Sequence, residues 1–147
     1  MPYIICDLDG TLADISHRVH HASGERKNWR RFFEGIPEDA IAEVVADILR
    51  HYSTTHNIVF VSGRPEHTRS DTVAWLQKHV PFIEQYSLYM RPNGDFRPDN
   101  IVKAELYDQH IEPEYGAPFF VLDDRDKVVK MWREKGLICL QVAEGNF

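Results

Sequence analysis

Short apolar runs rich in Ile, Val and Phe alternate along this chain with stretches in which apolar residues return every three or four positions. Continuous apolar runs suit strands covered on both faces, and the three-to-four spacing suits helices laid across them. The pattern predicts strands over Tyr3 to Leu8, Asn57 to Val61, Tyr86 to Met90, Pro118 to Leu122 and Leu137 to Val142. The clearest helix follows Pro37, where Ile41, Val44, Val45, Ile48, Leu49 and Tyr52 fall on one apolar face. A second helix opens at Pro65 and carries Val73 and Leu76 inward, and a third opens at Pro98. A fourth covers Asp126 to Lys135 and stops at Gly136, a residue suited to a helix C-terminus. The fold class is α/β: a Rossmann-like, mostly parallel sheet with helices on both faces.

The segment from Ala13 to Gly35 fits this alternation least. It is polar, basic and histidine-rich, and it follows the first strand, at the carboxyl edge where open α/β sheets bind ligands. It is expected to form part of a site wall. Within it Arg26, Lys27, Arg30 and Arg31 are interleaved with Trp29, Phe32 and Phe33, a pattern that fits either a solvated amphipathic helix or a substrate-contacting surface.

A chain of 147 residues without a long Gly/Ser tract fits one domain over 1–147. With 43% hydrophobic residues and no apolar run near the ~20 needed to cross a bilayer, no membrane association is expected. The N-terminus enters the first strand without a targeting pattern, and Cys6 and Cys139 sit in apolar runs that suit buried free thiols. A cytoplasmic setting is the expectation. The net charge of −6 gives no general attraction to polyanions, so any nucleic-acid contact must come from a local basic cluster.

The chemistry is concentrated at strand ends. Asp7-Leu8-Asp9-Gly10-Thr11 closes the first strand with two carboxylates projecting to one side, Leu8 turned to the core and Gly10 permitting a sharp turn. Val59 to Val61 leads into Ser62-Gly63-Arg64-Pro65, Lys103 lies near the start of a helix, and Phe119 to Leu122 runs into Asp123-Asp124-Arg125. Taken singly, Ser62 reads equally well as a helix cap, Lys103 as a solvent-facing residue and Asp123-Asp124 as an N-cap. One pocket accounts for all of them together.

These four motifs, in this order, resemble those of the haloacid dehalogenase-like phosphohydrolases. The resemblance implies a Mg²⁺-dependent phosphomonoesterase working through an aspartyl-phosphate. Asp7 is then the nucleophile and Asp9 the general acid/base; Ser62 and Lys103 stabilise the transferring group, with help from Thr11. Asp7, the Asp9 carbonyl and Asp124 are the implied oxygen ligands for Mg²⁺, with Asp123 standing behind them. The spacing leaves room for at most a minimal cap, so the site is expected to be open.

A closer likeness covers nearly the whole chain. The run Leu122 to Arg133, the ending Gln141-Val142-Ala143-Glu144-Gly145-Asn146-Phe147, Ser62-Gly63-Arg64 and Val102-Lys103 are similar to the 3'-phosphatase domain of phage-type polynucleotide kinase/phosphatase. That likeness implies a phosphorylated nucleic-acid end as substrate, with Arg18, Gly63 and Arg64 at the substrate phosphate and a separate kinase or ligase as partner. Flanking nucleotides are then expected to rest on residues such as Trp29, Arg30 or Arg31. The chain has no Gly-x-x-x-x-Gly-Lys-Ser/Thr loop, so no 5'-kinase activity is expected of it. His17, His20 and His21 are expected to line the entrance rather than to bind zinc, for want of a third ligand at a suitable spacing. The alternatives are a small-molecule nucleotidase or sugar phosphatase with the same catalytic residues, and a binding module without chemistry.

Overall fold

Strand β1 (Tyr3–Cys6) runs through the middle of a computed structural model that describes residues 1–147. It is followed by β2 (Ala13–Asp14), the short helix α1 (Trp29–Glu34), β3 (Ala40–Ile41) and α2 (Glu43–Tyr52). Then come β4 (Asn57–Pro65), α3 (Arg69–His79), β5 (Tyr86–Arg91) and α4 (Asp99–Leu106). A π-helical turn, Tyr107–Ile111, leads into α5 (Glu112–Tyr115), and β6 (Val121–Asp123), α6 (Asp126–Glu134) and β7 (Cys139–Gln141) complete the chain.

Five strands form one parallel sheet in the order β5-β4-β1-β6-β7, with Tyr3 opposite Asn57 and Ile5 opposite Val121. The sequence-predicted strands are all present, with ends shifted by a few residues. Because successive side chains on a strand point to opposite faces, β1 feeds two cores. Ile4 and Cys6 pack with Val45 and Leu49 of α2 and Trp75 and Leu76 of α3. Tyr3 and Ile5 pack with Val102 and Leu106 of α4 and Val128, Val129 and Trp132 of α6. Both faces being covered explains why β1 has no polar alternation.

The chain winds from β1 outward through β4 to β5, then crosses back to β6 and β7 on the other side of β1, so the winding direction reverses beside β1, where a crevice opens at the carboxyl ends of the strands. The stretch between β1 and α2 holds only α1, two 3₁₀ turns and the small β2–β3 pair, while α3, β5 and a loop separate β4 from α4. Neither stretch builds a cap over the crevice. No helix is long and apolar enough to cross a membrane, and both cysteines are buried and unbridged.

Two sequence expectations need correction. The helix after Pro37 starts later: Pro37 sits in a 3₁₀ turn, and Ile41 belongs to β3, paired with Ala13. Once the helix begins at Glu43, its buried face is centred on Val45, Ala46 and Leu49, and Val44 lies outside it, 75% exposed. Likewise Pro65 ends β4 rather than opening α3, which starts at Arg69 after a 3₁₀ turn. The revised face has a direct consequence in urea unfolding. Leu49→Ala is expected to cost about 2–5 kcal/mol by leaving a cavity, whereas Val44→Ala changes stability by no more than roughly 0.5 kcal/mol.

Candidate active site

The carboxyl ends of β4, β1 and β6 bring together the residues singled out in the sequence. At the end of β1 the chain cannot continue as a strand. The Leu8 carbonyl accepts the N–H groups of Thr11 (3.0 Å) and Ala13 (2.9 Å), while Gly10 N–H donates to the Ala13 carbonyl (2.9 Å). These bonds wrap a tight loop around Asp9 and direct Leu8 into the core. Gly10 has φ +80°, and a Cβ on it would lie 2.1 Å from Asp124 Oδ2. Glycine is therefore required twice over, for the left-handed backbone and for the approach of Asp124.

Asp7, Asp123 and Asp124 are buried, and their carboxylate oxygens lie within 4.8 Å of one another. One ammonium sits among them: Lys103 Nζ, on α4 and 2% exposed, donates to Asp7 Oδ1 at 2.8 Å and to Asp123 Oδ2 at 2.9 Å. Thr11 Oγ1 donates to Asp7 Oδ2 at 2.9 Å and lies 3.3 Å from Asp124 Oδ1. Burial and the neighbouring Asp123 charge push the Asp7 carboxyl well above the usual carboxylate range, against the pull of Lys103. Burial and Asp123 raise Asp124 as well. Burial disfavours the Lys103 ammonium, but Asp123 and Asp7 outweigh it and keep the group charged.

Three buried carboxylates facing a single ammonium carry an uncompensated negative charge. A hard divalent cation that takes oxygen ligands fits this donor set, and it fits the Asp9 carbonyl, which accepts no hydrogen bond within the chain. The three acids are not equivalent. Asp123 Oδ1 accepts the Asp124 N–H at 2.8 Å, and its Oδ2 accepts both Lys103 and Trp132 Nε1, the latter at 3.2 Å. Asp123 takes three protein donors, one of them a backbone N–H, and braces the site; Asp7 takes one donor on each oxygen and Asp124 only Thr11, which leaves those two as the carboxylates with the most capacity to take a metal. Gln141 Nε2 holds the turn from behind by donating to the Asp124 carbonyl at 2.9 Å.

Asp9 faces a different set of partners. Its Oδ1 accepts Arg18 Nη2 at 2.8 Å, Arg64 Nε at 2.9 Å and Arg64 Nη2 at 2.6 Å, while Oδ2 has no protein partner. Burial alone would raise this carboxyl, but Arg64 and Arg18 together hold it below the usual range. Ser62 is buried at the end of β4; its hydroxyl oxygen accepts the Arg64 N–H at 3.0 Å and donates to no protein group. Gly63 is pinned through its carbonyl by Arg91 Nε at 2.8 Å, and Arg91 and Arg125 both pair with Asp99 beside it.

Arg18 and Arg64, expected at the substrate phosphate, are 1% and 2% exposed; their Nε and Nη2 donors go to carboxylates, while Arg18 Nη1 donates to the Phe32 carbonyl and Arg64 Nη1 to the Thr72 hydroxyl. The residue that sequence reading missed is Asp39, wholly buried between them. Its Oδ1 accepts Arg18 Nε at 2.8 Å and lies 2.7 Å from His17 Nε2; its Oδ2 accepts Arg18 Nη2 at 2.9 Å and Arg64 Nη2 at 3.1 Å. Trp75 Nε1 on α3 fixes its backbone carbonyl at 2.8 Å. Two arginines and two aspartates thus make a neutral box in which Asp9 is the only member open to the crevice. The local sequence around Asp39 carries no signal for this; the available clue was that Arg18 and Arg64 need anionic partners if buried. The histidines do not gather at a metal: His17 is on Asp39, and the rings of His20 and His21 pack on each other near the surface.

Comparison with known proteins agrees with this geometry. Residues 2–147 match the family model of the polynucleotide kinase PNKP phosphatase domain. A putative bifunctional polynucleotide kinase/RNA ligase from Autographa californica nuclear polyhedrosis virus is 31% identical over 133 residues, 89% of this chain and 18% of that protein. The solved Pnkp1/Rnl/Hen1 RNA repair complex contains a chain that is 35% identical over 100% of this sequence and 44% of its own, with TM-score 0.84. A haloacid dehalogenase-like hydrolase from Streptococcus pneumoniae, 17% identical over 96% of this chain and 84% of its own with TM-score 0.68, shares the fold. The chain thus spans less than half the length of the two nearer-sequence relatives. It belongs to the polynucleotide kinase PNKP phosphatase-domain family of haloacid dehalogenase-like hydrolases and is a phosphatase.

Proposed function

We propose that this phosphatase removes 3'-phosphates from polynucleotide ends, using Mg²⁺ and an aspartyl-phosphate intermediate on Asp7. The observation that carries the reading is the separation of two carboxylates two residues apart into opposite electrostatic settings, Asp7 on Lys103 and Asp9 in the arginine box. One group is placed to attack and the other to handle the proton.

Asp7, Asp124 and the Asp9 carbonyl would hold Mg²⁺, which would supply the charge neutralisation that lets an anionic nucleophile approach an anionic phosphoryl group. Asp7, aligned by Lys103 and Thr11, attacks phosphorus, and the leaving oxygen departs on the side of Asp9. The free Ser62 hydroxyl proton and the Lys103 ammonium meet charge developing on the transferring group. Asp9 Oδ2 protonates the leaving oxygen and then takes a proton from the water that hydrolyses the acyl-phosphate. Oδ1 stays fixed by the arginines throughout, so the proton is confined to the oxygen facing the substrate.

A polynucleotide end is favoured over a small sugar phosphate because nothing covers the crevice, and an open rim admits a substrate that continues beyond its reacting nucleotide. The names of the viral relative and of the repair complex concern RNA, which supports RNA ends as the physiological class and a kinase and a ligase as the accompanying activities. In a cytoplasmic repair setting, removal of the 3'-phosphate leaves the hydroxyl that ligation needs.

Phosphate release from a 3'-phosphorylated oligonucleotide, its 5'-phosphorylated counterpart and a 3'-mononucleotide at matched concentrations tests the reading. The 3'-oligonucleotide is expected to be the best substrate; equal or faster turnover of the mononucleotide makes the chain a nucleotidase instead. Chelation is expected to stop turnover, with Mg²⁺ restoring it, and Asp124→Ala is expected to raise the Mg²⁺ concentration needed for half-activity; an unchanged titration removes Asp124 from the metal site. Asp7→Asn is expected to be inactive and Asp9→Asn slower by about 10²–10⁴-fold, both remaining folded by circular dichroism. Asp39→Ala strips two buried arginines of a shared partner and is expected to destabilise the fold by about 3–5 kcal/mol, read by denaturant unfolding.

A further inference from the structure

The catalytic groups account for the crevice, but not for the aromatic and basic surface that rises from its Asp9 side. Arg18, which holds Asp9, lies with its guanidinium carbon 4.4 Å from the centre of the Phe32 ring. Phe32 is the buried member of α1 and anchors that helix against the arginine box. Around it stand Trp29, edge-on at 5.7 Å, and Phe33 at 5.4 Å, and these two rings stack on each other at 6.0 Å with 23° between their planes. Phe33 in turn meets the edge of His67, three residues beyond Arg64, at 5.6 Å. One aromatic strip therefore bridges the segment that supplies Arg18 and the turn that follows Arg64 at the end of β4.

This strip is not needed for the core. Trp29 is 50% exposed, whereas the other tryptophans, Trp75 and Trp132, are buried. The cations beside it are unneutralised: Lys27 Nζ lies 5.8 Å from the Trp29 ring centre, and neither Arg26, Lys27 nor Arg31 forms an ion pair, although the chain as a whole carries −6. Flat rings that accept any base face, flanked by free cations that follow a phosphate backbone, are the combination used to hold single-stranded nucleic acid.

Direction completes the argument. The leaving oxygen departs toward Asp9, so the nucleoside that carries it must lie on the Asp9 side of the crevice, where the Trp29–Phe33–His67 strip stands. We propose that Trp29 and Phe33, edged by His67, form a stacking platform for the bases at the 3' end of the substrate, with Arg26, Lys27 and Arg31 taking the phosphates of the preceding nucleotides. The platform rests on the 3'-phosphatase reading and adds to it a sequence-tolerant subsite for single strands.

The test compares kcat/KM for a 3'-phosphorylated oligonucleotide with kcat/KM for a simple alkyl phosphate in the full chain. Trp29→Ala and Phe33→Ala are each expected to lower that ratio about tenfold, with Trp29→Phe recovering most of the loss. Lys27→Gln with Arg31→Gln is expected to flatten the dependence of oligonucleotide turnover on salt. In Asp7→Asn protein, binding of the oligonucleotide is expected to quench the emission of Trp29, and the quench disappears when Trp29→Phe is added. If the oligonucleotide remains preferred in every variant and no Trp29 quench occurs, the platform is wrong while the 3'-phosphatase reading stands. If the wild-type chain hydrolyses the alkyl phosphate but neither binds nor prefers the oligonucleotide, the substrate reading fails and the platform with it.

Discussion

The ammonium of Lys103, inserted between Asp7 and Asp123 at the end of two adjacent parallel strands, is the interaction on which the site is built. Removing that cation from water is costly, and only two carboxylates at hydrogen-bonding distance make it tolerable. The geometry of everything nearby follows from this. Helix α4 must present Lys103 over the sheet's carboxyl edge, which Val102 and Leu106 achieve by burying the helix on the Tyr3 and Ile5 face. Trp132 then serves both core and site, filling the same apolar layer while its indole N–H supports Asp123.

A second cluster solves the same problem with balanced charge. Around Asp7 there is an excess of carboxylate, which suits a metal; around Asp9 the arginines are matched by Asp39, which does not. The Asp7 group belongs to the sheet and to helices on one face, while the Asp9 box is assembled from the 13–41 insertion, the end of β4 and α3 on the other. In the proposed mechanism the scaffold supplies the nucleophile and metal ligands, and the insertion positions the proton-transfer group. The boundary between them runs through the two residues after Asp7, which is why the turn at Gly10 admits no side chain.

Much of this was legible in the sequence because it is written in local signals. Apolar runs located the sheet strands, and acidic residues directly after them located Asp7, Asp9, Asp123 and Asp124. What the sequence hid depends on distant pairing. Periodicity put Val44 on the buried face because Ile41 was counted as helical, and only the pairing of Ile41 with Ala13 in β3 shows where the helix starts. The likeness to polynucleotide 3'-phosphatases places Arg18 and Arg64 at the substrate phosphate; the structure adds that both pair with Asp9 and Asp39, the second of which has no local signature at all.

The arginine box bears on how Asp9 acts. In the proposed mechanism, a carboxyl held below its usual range is in the right state for the second half-reaction, where it accepts a proton from water, and in the wrong one for the first. The conflict is eased by the substrate itself. A phosphoryl dianion entering beside Asp9 raises that carboxyl by like-charge repulsion, and closing Oδ2 off from water raises it further. In that mechanism, once the phosphoryl group is on Asp7 and the leaving group has departed, water returns and the arginines again favour the carboxylate. Their strength thus sets a compromise: stronger cations would leave Asp9 without a proton for the leaving oxygen, and weaker ones would leave it protonated when the acyl-phosphate must be hydrolysed. Asp39 shares both arginines with Asp9, so in that mechanism a wholly buried aspartate fixes the two cations on which the proton-transfer group depends.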